Sequence, residues 1–166
     1  FTVPTARLYP YQWNWDSVFV ALGFATFDEA RACEEIETLF EAQWEDGFVP
    51  HIIFRRDDPD YFPGPSVWQA ARGLPSSGIT QPPVAASVVK TLWSTVSDAA
   101  VKERLGALFP KILAWHRWFH KYRVPEDSGA VIVTHPWESG RDNSPEWDAP
   151  SSGIDVWANR HSRASR

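Results

Sequence analysis

Apolar side chains recur every three or four residues along four stretches of this chain, and that spacing is typical of one face of an α-helix. We therefore predict an all-α fold in which antiparallel helix pairs bury these faces and long loops gather on one side. The predicted apolar faces are Cys33, Ile36, Phe40 and Trp44; Val84, Val88, Leu92 and Val96; Val101, Leu105 and Leu108; and Ile112, Leu113, Trp115 and Phe119.

Capping residues set the expected boundaries of the first two helices. Asn14 or Asp16 is expected to cap a helix that runs to about Phe24, because both side chains accept hydrogen bonds from a first turn. Residues 26–29 fit a capping box for the next helix. That helix is expected to end at Gly47, since glycine adopts the left-handed conformation that closes many helices.

Proline and acidic residues set the later boundaries. Thr80 or Gln81 is expected to cap a helix whose first turn contains two prolines. Asp98 is expected to begin another helix, and Pro110 either kinks that helix or opens a new one. Residues 130–133, an Ala-Val-Ile-Val run, predict a short strand.

Charge and cysteine usage exclude several classes of protein. The chain has 16 Lys plus Arg and 21 Asp plus Glu, a formal net charge of −5, which argues against a nucleic-acid partner because such binding depends on cations. No apolar run could cross a bilayer, and no secretion signal is recognisable. Cys33 is the single cysteine, so no intrachain disulfide can form. We expect a cytoplasmic protein without membrane contact, and its oligomeric state stays open.

The ends of the chain indicate a piece of a longer protein. It begins at Phe1, contains no Met, and stops soon after its most chemically promising loop. Residues 1–150 are expected to form the N-terminal part of one catalytic domain. Residues 151–166 lack a sustained apolar period and carry three arginines, so we expect an irregular tail whose native origin is open.

The most promising chemistry lies in the loop of residues 135–144. Two carboxylates, Glu138 and Asp142, lie four positions apart around a glycine bend. Cleavage of a glycosidic bond needs one carboxylic acid to protonate the leaving oxygen and a second carboxylate on the far side. Arg141 and Asn143 are expected to position hydroxyl groups of a substrate.

Trp137 and Trp147 are expected to wall a pocket around this loop. Burial beside indole would raise the pKa of the acid, as a general acid at neutral pH requires. The alternative is a solvated loop with a structural arginine–carboxylate pair. Residue types alone favour that alternative, because clusters of surface charge are common.

A second candidate site combines aromatic and polar side chains early in the chain. Tyr9, Trp13 and Trp15 offer ring faces to the C–H face of a sugar, and Asp16 can bind hydroxyl groups. The alternative is a helix cap surrounded by aromatic core residues. A third candidate comprises His51 and residues 60–68, which lie in the long irregular segment of residues 48–79 and can supply a polar contact.

Gln81 follows this segment at an expected helix start, where its side-chain amide would be held rigidly. Turn formation and capping are the simpler explanations for both His51 and Gln81. No metal or cofactor is expected. His116 and His120 lie one helical turn apart, but Arg117 stands where the zinc protease pattern requires glutamate.

Four sequence blocks occur in order along the chain and together resemble glycoside hydrolases of family 63, in particular the bacterial mannosylglycerate and glucosylglycerate hydrolase branch. The resemblance extends from about residue 9 to residue 148, and the fourth block is the most specific. The blocks are Tyr11-Gln12-Trp13-Asn14-Trp15-Asp16-Ser17, Asp46-Gly47-Phe48-Val49-Pro50-His51, Gly78-Ile79-Thr80-Gln81-Pro82-Pro83 and Trp137-Glu138-Ser139-Gly140-Arg141-Asp142-Asn143-Ser144.

The resemblance implies an (α/α)6 barrel and hydrolysis with inversion of configuration. It maps the general acid onto Asp142, and it implies that Trp15, Asp16 and Gln81 line the sugar pocket. The general base of such enzymes is a glutamate from the C-terminal half of the barrel, which this chain does not reach. The chain would then form only part of the toroid, and we expect it to be inactive alone.

The resemblance leaves several functions open. A small glycoside such as glucosylglycerate or mannosylglycerate is the first expectation for the substrate, and an oligosaccharide α-glucosidase of the same fold is the alternative. The carboxylate of glycerate would need a cation, for which Arg72 and Arg141 are weak local candidates. A non-catalytic sugar-binding module and a structural helical-repeat protein are further alternatives.

Overall fold

The computed structural model describes residues 1–70 and 72–153. Short connections follow the first, fourth and fifth α-helices, whereas long irregular segments precede and follow the third. Within the described residues no helix is long and apolar enough to cross a membrane. The α-helices are α1 Asn14–Phe24, α2 Glu29–Phe40, α3 Pro65–Trp68, α4 Ala85–Thr95, α5 Ala99–Ala107, α6 Phe109–Tyr122 and α7 Asp148–Ser151; two 3-10 turns cover Pro136–Glu138 and Pro145–Trp147.

The first helix, α1, ends at Phe24 as predicted, but its cap comes from elsewhere in the chain. The expected caps, Asn14 and Asp16, lie inside the first turn, so that prediction is wrong. The backbone N–H of Asn14 donates to the carbonyl of His51 at 2.9 Å. The side chain of Gln81 accepts a hydrogen bond from the next N–H of the helix at 3.1 Å. Two distant segments therefore satisfy the open end of α1.

The predicted boundaries of α2 are wrong at both ends. Asp28 is the N-cap and accepts from the N–H of Arg31 at 2.9 Å, whereas Thr26 donates its hydroxyl to a carbonyl of α1. The helix ends at Phe40, before the predicted end at Gly47. Trp44 therefore lies beyond the helix, although its ring still packs against the core.

The start of α4 also differs from the prediction. The helix begins at Ala85, and neither Thr80 nor Gln81 caps it. The hydroxyl of Thr80 donates to the carbonyl of Val49 at 2.7 Å, and Gln81 caps α1 as described above. Thr80 and Gln81, the predicted caps of α4, thus form hydrogen bonds with backbone groups far away in the sequence.

Two other expected boundaries are confirmed and one expected strand does not form. Asp98 caps α5 and accepts from the N–H of Ala100 at 2.7 Å. Pro110 lies in the first turn of a separate helix, α6, because proline is tolerated where N–H groups are free. Residues 130–133 form no strand and their side chains are exposed, so that prediction is wrong.

The core lies between α1, α2, α4, α5 and α6. Trp115 is fully buried and meets the ring of Phe40 edge-on, with ring centroids 6.1 Å apart. Burial of these apolar side chains is the main favourable term for the packing of the helices. Twelve of the fifteen residues in the predicted apolar faces are buried, which confirms the helical periodicity; Trp44, Val84 and Leu113 are half-buried.

A two-residue antiparallel pairing joins the start of α1 to the long segment. Strand β1, Gln12–Trp13, pairs with β2, Ile52–Ile53, and Ile53 also bridges to Ser76. A second apolar cluster forms there, in which the rings of Tyr11 and Phe54 meet edge-on at 5.0 Å. The long segment is therefore ordered by aromatic packing and by this ladder.

The expected division at residue 150 stays a prediction, because residues 154–166 lie outside the described residues. Ser151, the first residue of the expected irregular tail, ends the short helix α7.

Gly47 provides a test of the packing between the end of α2 and α6. Its φ is +97°, and an added Cβ would lie 2.5 Å from the carbonyl oxygen of Ala114. We expect Gly47→Ala to lower the free energy of unfolding by about 1–3 kcal/mol in urea titrations. The matched control is Gly106→Ala in α5, where nothing lies within 4 Å, and it should be neutral or stabilising. Equal stability of both variants would contradict the close approach.

Candidate active site

A pocket of about 580 Å³ opens where the long loops meet the start of α1. Its walls come from five separate parts of the sequence, and most of its lining side chains are aromatic or polar. The lining residues are Pro4, Thr5, Leu8, Tyr9, Trp13, Trp15, Asp16, His51, Tyr61, Phe62, Pro63, Gln81, Trp137, Gly140 and Asp142.

Eight of the eleven residues that the sequence singled out line this pocket. The four residues expected to converge from distant parts of the chain, Trp15, Asp16, Gln81 and Asp142, share it. Their convergence confirms the shared pocket, while their roles toward a substrate stay predictions. The other four are Tyr9, Trp13, His51 and Trp137. Glu138, Arg141 and Asn143 are not among the lining residues.

Trp15 fixes the loop that carries Asp142. Gly140 has φ of +70°, and a Cβ built there would overlap the six-membered ring of the Trp15 indole. The loop backbone therefore runs directly against the indole, an approach that only glycine permits. The N–H of Trp15 is in turn bound by the side chain of Gln81. Trp15 thus connects the start of α1 both to Gln81, which lies just before α4, and to the loop of residues 135–144.

Asp142 is exposed in the pocket. Within the described residues its carboxyl group has no hydrogen-bond or ion-pair partner. The expectation that this acid is buried beside indole is therefore wrong for the described chain. An unpaired carboxyl group in a pocket can still transfer a proton to a bound group, provided that its geometry is suitable.

Asp16 is the second carboxyl group of the pocket and is half-buried. Burial raises the pKa of Asp16 above its ordinary value, and a hydrogen bond from its own backbone opposes that effect in part. The cause is desolvation, which disfavours the charged form of a carboxyl group. Asp16 can accept hydrogen bonds from substrate hydroxyl groups in either protonation state.

Glu138 is not among the described residues that line the pocket, and its role in substrate binding stays a prediction. The side chain is buried and forms a two-pronged ion pair with Arg123, with N–O distances of 2.7 and 2.8 Å. It also accepts from the N–H and the hydroxyl of Thr134, and from the N–H of Thr80. This is the structural arginine–carboxylate pair of the alternative interpretation, but with a different arginine.

The environment of Glu138 keeps it charged. Burial would raise the pKa of this carboxyl group, but hydrogen bonds from Arg123, Thr134 and Thr80, together with the positive charge of Arg123, hold the pKa below its ordinary value. A carboxylate with all of its lone pairs engaged cannot act as a base toward substrate. Its contacts tie residues 134–138 of the loop to Arg123 and Thr80.

The remaining expected residues are not among the described residues that line the pocket. Arg141 pairs with Glu146 at 2.8 Å on the surface, and Trp147 donates its indole N–H to the Arg141 carbonyl rather than lining the pocket. Asn143 is exposed. Arg72 lies over the ring of Trp44 and 3.8 Å from Asp46. The described part of the pocket lining therefore contains no arginine or lysine.

His51 lines the pocket with a neutral imidazole. The hydroxyl of Ser77 donates to the carbonyl of Ile79, so the Ser77 oxygen accepts the Nδ1–H of His51 at 2.6 Å. Burial lowers the pKa of His51 to about 3, and the positive charge that His135 can carry acts in the same direction. The other ring nitrogen then keeps a lone pair, which can accept a hydrogen bond from a substrate hydroxyl.

Sequence reasoning missed one wall of the pocket. Pro4, Thr5 and Leu8 line it, although the first residues of the chain carry no periodicity or motif. No local signal identifies these three residues, because their position depends on contacts with distant segments. Tyr61, Phe62 and Pro63, which belong to the candidate segment of residues 60–68, form another wall.

The structural role of Glu138 can be tested by stability. We expect Glu138→Gln to lower the free energy of unfolding by about 3–5 kcal/mol near pH 7, because it leaves Arg123 buried without its partner. Glu146→Gln is the matched control in the same loop, and its exposed pair with Arg141 should contribute less than about 1 kcal/mol. Urea titrations of both variants would measure these changes.

The stability lost in Glu138→Gln should also depend on pH. The pKa of Glu138 is lower in the folded chain, so its stabilising effect is complete above its unfolded pKa of about 4.3. The effect is lost as the pH falls through the folded pKa. The stability difference between the wild type and Glu138→Gln should therefore shrink below about pH 4. A difference that is small at pH 7 or grows in acid would contradict the assignment.

Comparisons with known proteins match this arrangement. The family model described as mannosylglycerate hydrolase MGH1-like glycoside hydrolase domain matches residues 9–166. A mannosylglycerate hydrolase, MGH2, of Selaginella moellendorffii is 53% identical over 158 residues, covering 94% of this chain and 32% of the relative. A glucosylglycerate hydrolase of Mycolicibacterium hassiacum is 38% identical, covering 92% of this chain and 37% of the relative. The chain thus spans about a third of the length of these relatives.

A solved structure supports the same conclusion. The family 63 mannosylglycerate hydrolase from Thermus thermophilus, in complex with Tris and D-glycerate, superimposes with a TM-score of 0.86 at 51% identity. The match covers 95% of this chain and 38% of that protein, and it confirms the predicted partial all-α toroid. The chain belongs to the mannosylglycerate hydrolase MGH1-like glycoside hydrolases of family 63.

Proposed function

We propose that this chain supplies the acid and much of the sugar-binding surface of an inverting glycosidase that acts on a small glycoside, such as mannosylglycerate or glucosylglycerate. The observation that carries the proposal is the carboxyl group of Asp142, which has no partner among residues 1–70 and 72–153 and lies in a pocket that Trp15, Asp16 and Gln81 share. The names of the relatives, which are mannosylglycerate and glucosylglycerate hydrolases, support the substrate class.

Each of these side chains has a distinct role in the proposal. Trp15 and Trp137 present ring faces to the apolar face of the sugar. Gln81 uses its oxygen to cap α1, so its amide nitrogen is available to donate to a hydroxyl group. Asp16 accepts from a second hydroxyl group. Asp142 donates its proton to the glycosidic oxygen as the bond to the anomeric carbon breaks.

The base lies outside this chain in the proposal. Inversion requires a second carboxylate roughly 6.5–9.5 Å from the acid, on the opposite face of the sugar, where it activates a water molecule. Glu138 is fully engaged by Arg123, Thr134 and Thr80 and does not line the pocket. Since the chain spans about a third of its relatives, the remaining part of the protein is the proposed source of the base.

The same reasoning applies to the carboxylate of glycerate. The described pocket lining holds the carboxyl groups of Asp16 and Asp142 and no cationic side chain. A glycerate group next to two acids needs a positive partner. We propose that the rest of the protein supplies it.

The lack of a cation in the described lining is the one observation that favours the second candidate, an α-glucosidase for uncharged oligosaccharides. Turnover of glycerate-linked against glucose-linked substrates by the complete protein separates the two.

Asp142→Asn in the complete protein tests the assignment of the acid. We expect kcat to fall by about 10²- to 10⁴-fold, because general acid catalysis contributes about that much. KM should change little, since asparagine keeps the shape of the side chain and does not remove ground-state contacts. Steady-state kinetics with mannosylglycerate and glucosylglycerate would measure both parameters.

The matched control is Asp148→Asn, an exposed carboxyl group six positions later that does not line the pocket. It should leave kcat and KM unchanged. If Asp142→Asn retained turnover, Asp142 would not be the acid. If it raised KM alone, Asp142 would be a binding residue only.

The isolated chain tests the origin of the base. We expect the purified 166-residue chain to release no glycerate from mannosylglycerate, because it holds the acid without a carboxylate on the opposite face of the sugar. Glycerate release would be followed in a sensitive coupled assay, with the complete protein as the positive control. Hydrolysis that disappears in Asp16→Asn would contradict the proposal and identify Asp16 as the base.

A further inference from the structure

We propose that residues 1–8, called here the arm, form a ligand-binding wall of the pocket and that the buried carboxylate of Glu35 holds this wall in place. The inference rests on the proposed function of the pocket and adds to it a segment that determines affinity. The family match begins at residue 9, so the arm lies outside the matched region.

The arm reaches the pocket through a closed turn. The backbone of Thr5 and Tyr9 exchanges two hydrogen bonds, and the hydroxyl of Thr5 accepts from the N–H of Leu8 at 3.1 Å. Pro4, Thr5 and Leu8 line the pocket. The side chain of Leu8 is 72% exposed, so a sugar that covers it would bury apolar surface and gain affinity.

Glu35 in α2 binds the arm with both of its oxygens. The N–H of Thr2 donates to Oε1 at 2.9 Å, and the hydroxyl of Thr2 donates to Oε2 at 3.0 Å. Arg31 donates to the same hydroxyl group at 3.2 Å and also pairs with Glu35. A single residue of the arm is thus held by three hydrogen bonds.

The burial of Glu35 makes this attachment strong. The residue is fully buried, and Ser17 donates to its Oε1 at 2.9 Å. Burial would raise the pKa of Glu35, but hydrogen bonds from Thr2, Ser17 and Arg31 hold it below its ordinary value. A buried carboxylate needs each of its donors. Release of the arm would remove two of them, and the arm is therefore coupled to the core.

The same network continues to the strand beside the pocket. Gln12 donates to the hydroxyl of Ser17 at 3.1 Å and to that of Thr38, and it accepts from Arg55 at 2.9 Å. Gln12 directly precedes Trp13, which lines the pocket and meets the ring of Tyr9 edge-on at 5.2 Å. The same set of polar contacts therefore positions both the arm and Trp13 in the pocket lining.

Four variants of the complete protein distinguish the role of the arm from that of its attachment to Glu35. Leu8→Ala removes a lining side chain and leaves Glu35 intact. Glu35→Gln removes the charge that holds Thr2. Glu34→Gln is the matched control, because Glu34 also pairs with Arg31, at 3.5 Å, but forms no hydrogen bond or ion pair with residues 1–8 as the structure describes them. Thr2→Val removes one hydrogen bond to Glu35 and serves as the milder variant if Glu35→Gln does not fold.

The readouts are the Kd for D-glucose and hydrogen exchange along the backbone, measured with and without the sugar. We expect D-glucose to slow exchange in the arm of the wild type. Leu8→Ala should raise Kd about three- to tenfold without faster exchange in the arm. Glu35→Gln or Thr2→Val should raise Kd and also speed exchange in the arm. Glu34→Gln should change neither.

Two results would overturn the proposal in distinguishable ways. If D-glucose protects the segment around Gly140 but not the arm, and Leu8→Ala keeps the wild-type Kd, the pocket binds sugar and the arm is not a wall. If D-glucose, D-mannose and mannosylglycerate protect neither segment, the proposed function of the pocket is wrong, and the role of the arm is wrong with it.

Discussion

The carboxylate of Glu138 joins three parts of the chain that would otherwise have no fixed relation. It binds Arg123 just beyond α6, Thr134 at the start of the loop, and the N–H of Thr80 next to Gln81. A buried charge tolerates little movement, because each lost hydrogen bond leaves it without compensation. The position of the loop that carries Asp142 therefore depends on a residue that does not line the pocket.

A second constraint acts between Gln81, Trp15 and Gly140. The side chain of Gln81 completes the open end of α1 at Trp15, and the loop backbone at Gly140 packs against the Trp15 indole. Glu138 binds the N–H of Thr80, which precedes Gln81, and it also binds the loop. The contacts of Glu138 and those of Trp15 therefore link the same two segments, residues 80–81 and the loop of residues 135–144. Backbone contacts position the loop that carries Asp142, and the Asp142 carboxyl group has no partner within the described residues.

The parts of this structure that the sequence predicts are those set by neighbouring residues. The apolar period placed Leu92 and Leu105 in the core, and Asp98 caps the helix that follows it. The predicted caps of α1 and α4 are wrong, because Gln81 binds a helix 66 positions away. The role of Glu138 could not be predicted, because its partner Arg123 belongs to no recognisable motif. The four ordered sequence blocks predicted most of the pocket-lining residues, because the blocks identify a family and therefore do not depend on local conformation.

A crystal structure of the complete protein with D-glucose and D-glycerate bound would test the assigned roles of Asp142 and Glu138 together. We expect the sugar ring against Trp15, with the Asp142 carboxyl group within about 2.6–3.2 Å of the oxygen nearest the anomeric carbon. We also expect Glu138 to keep its pair with Arg123 and not to touch the ligand. A sugar bound to the Glu138 carboxylate, or seated away from Asp142, would contradict both assignments.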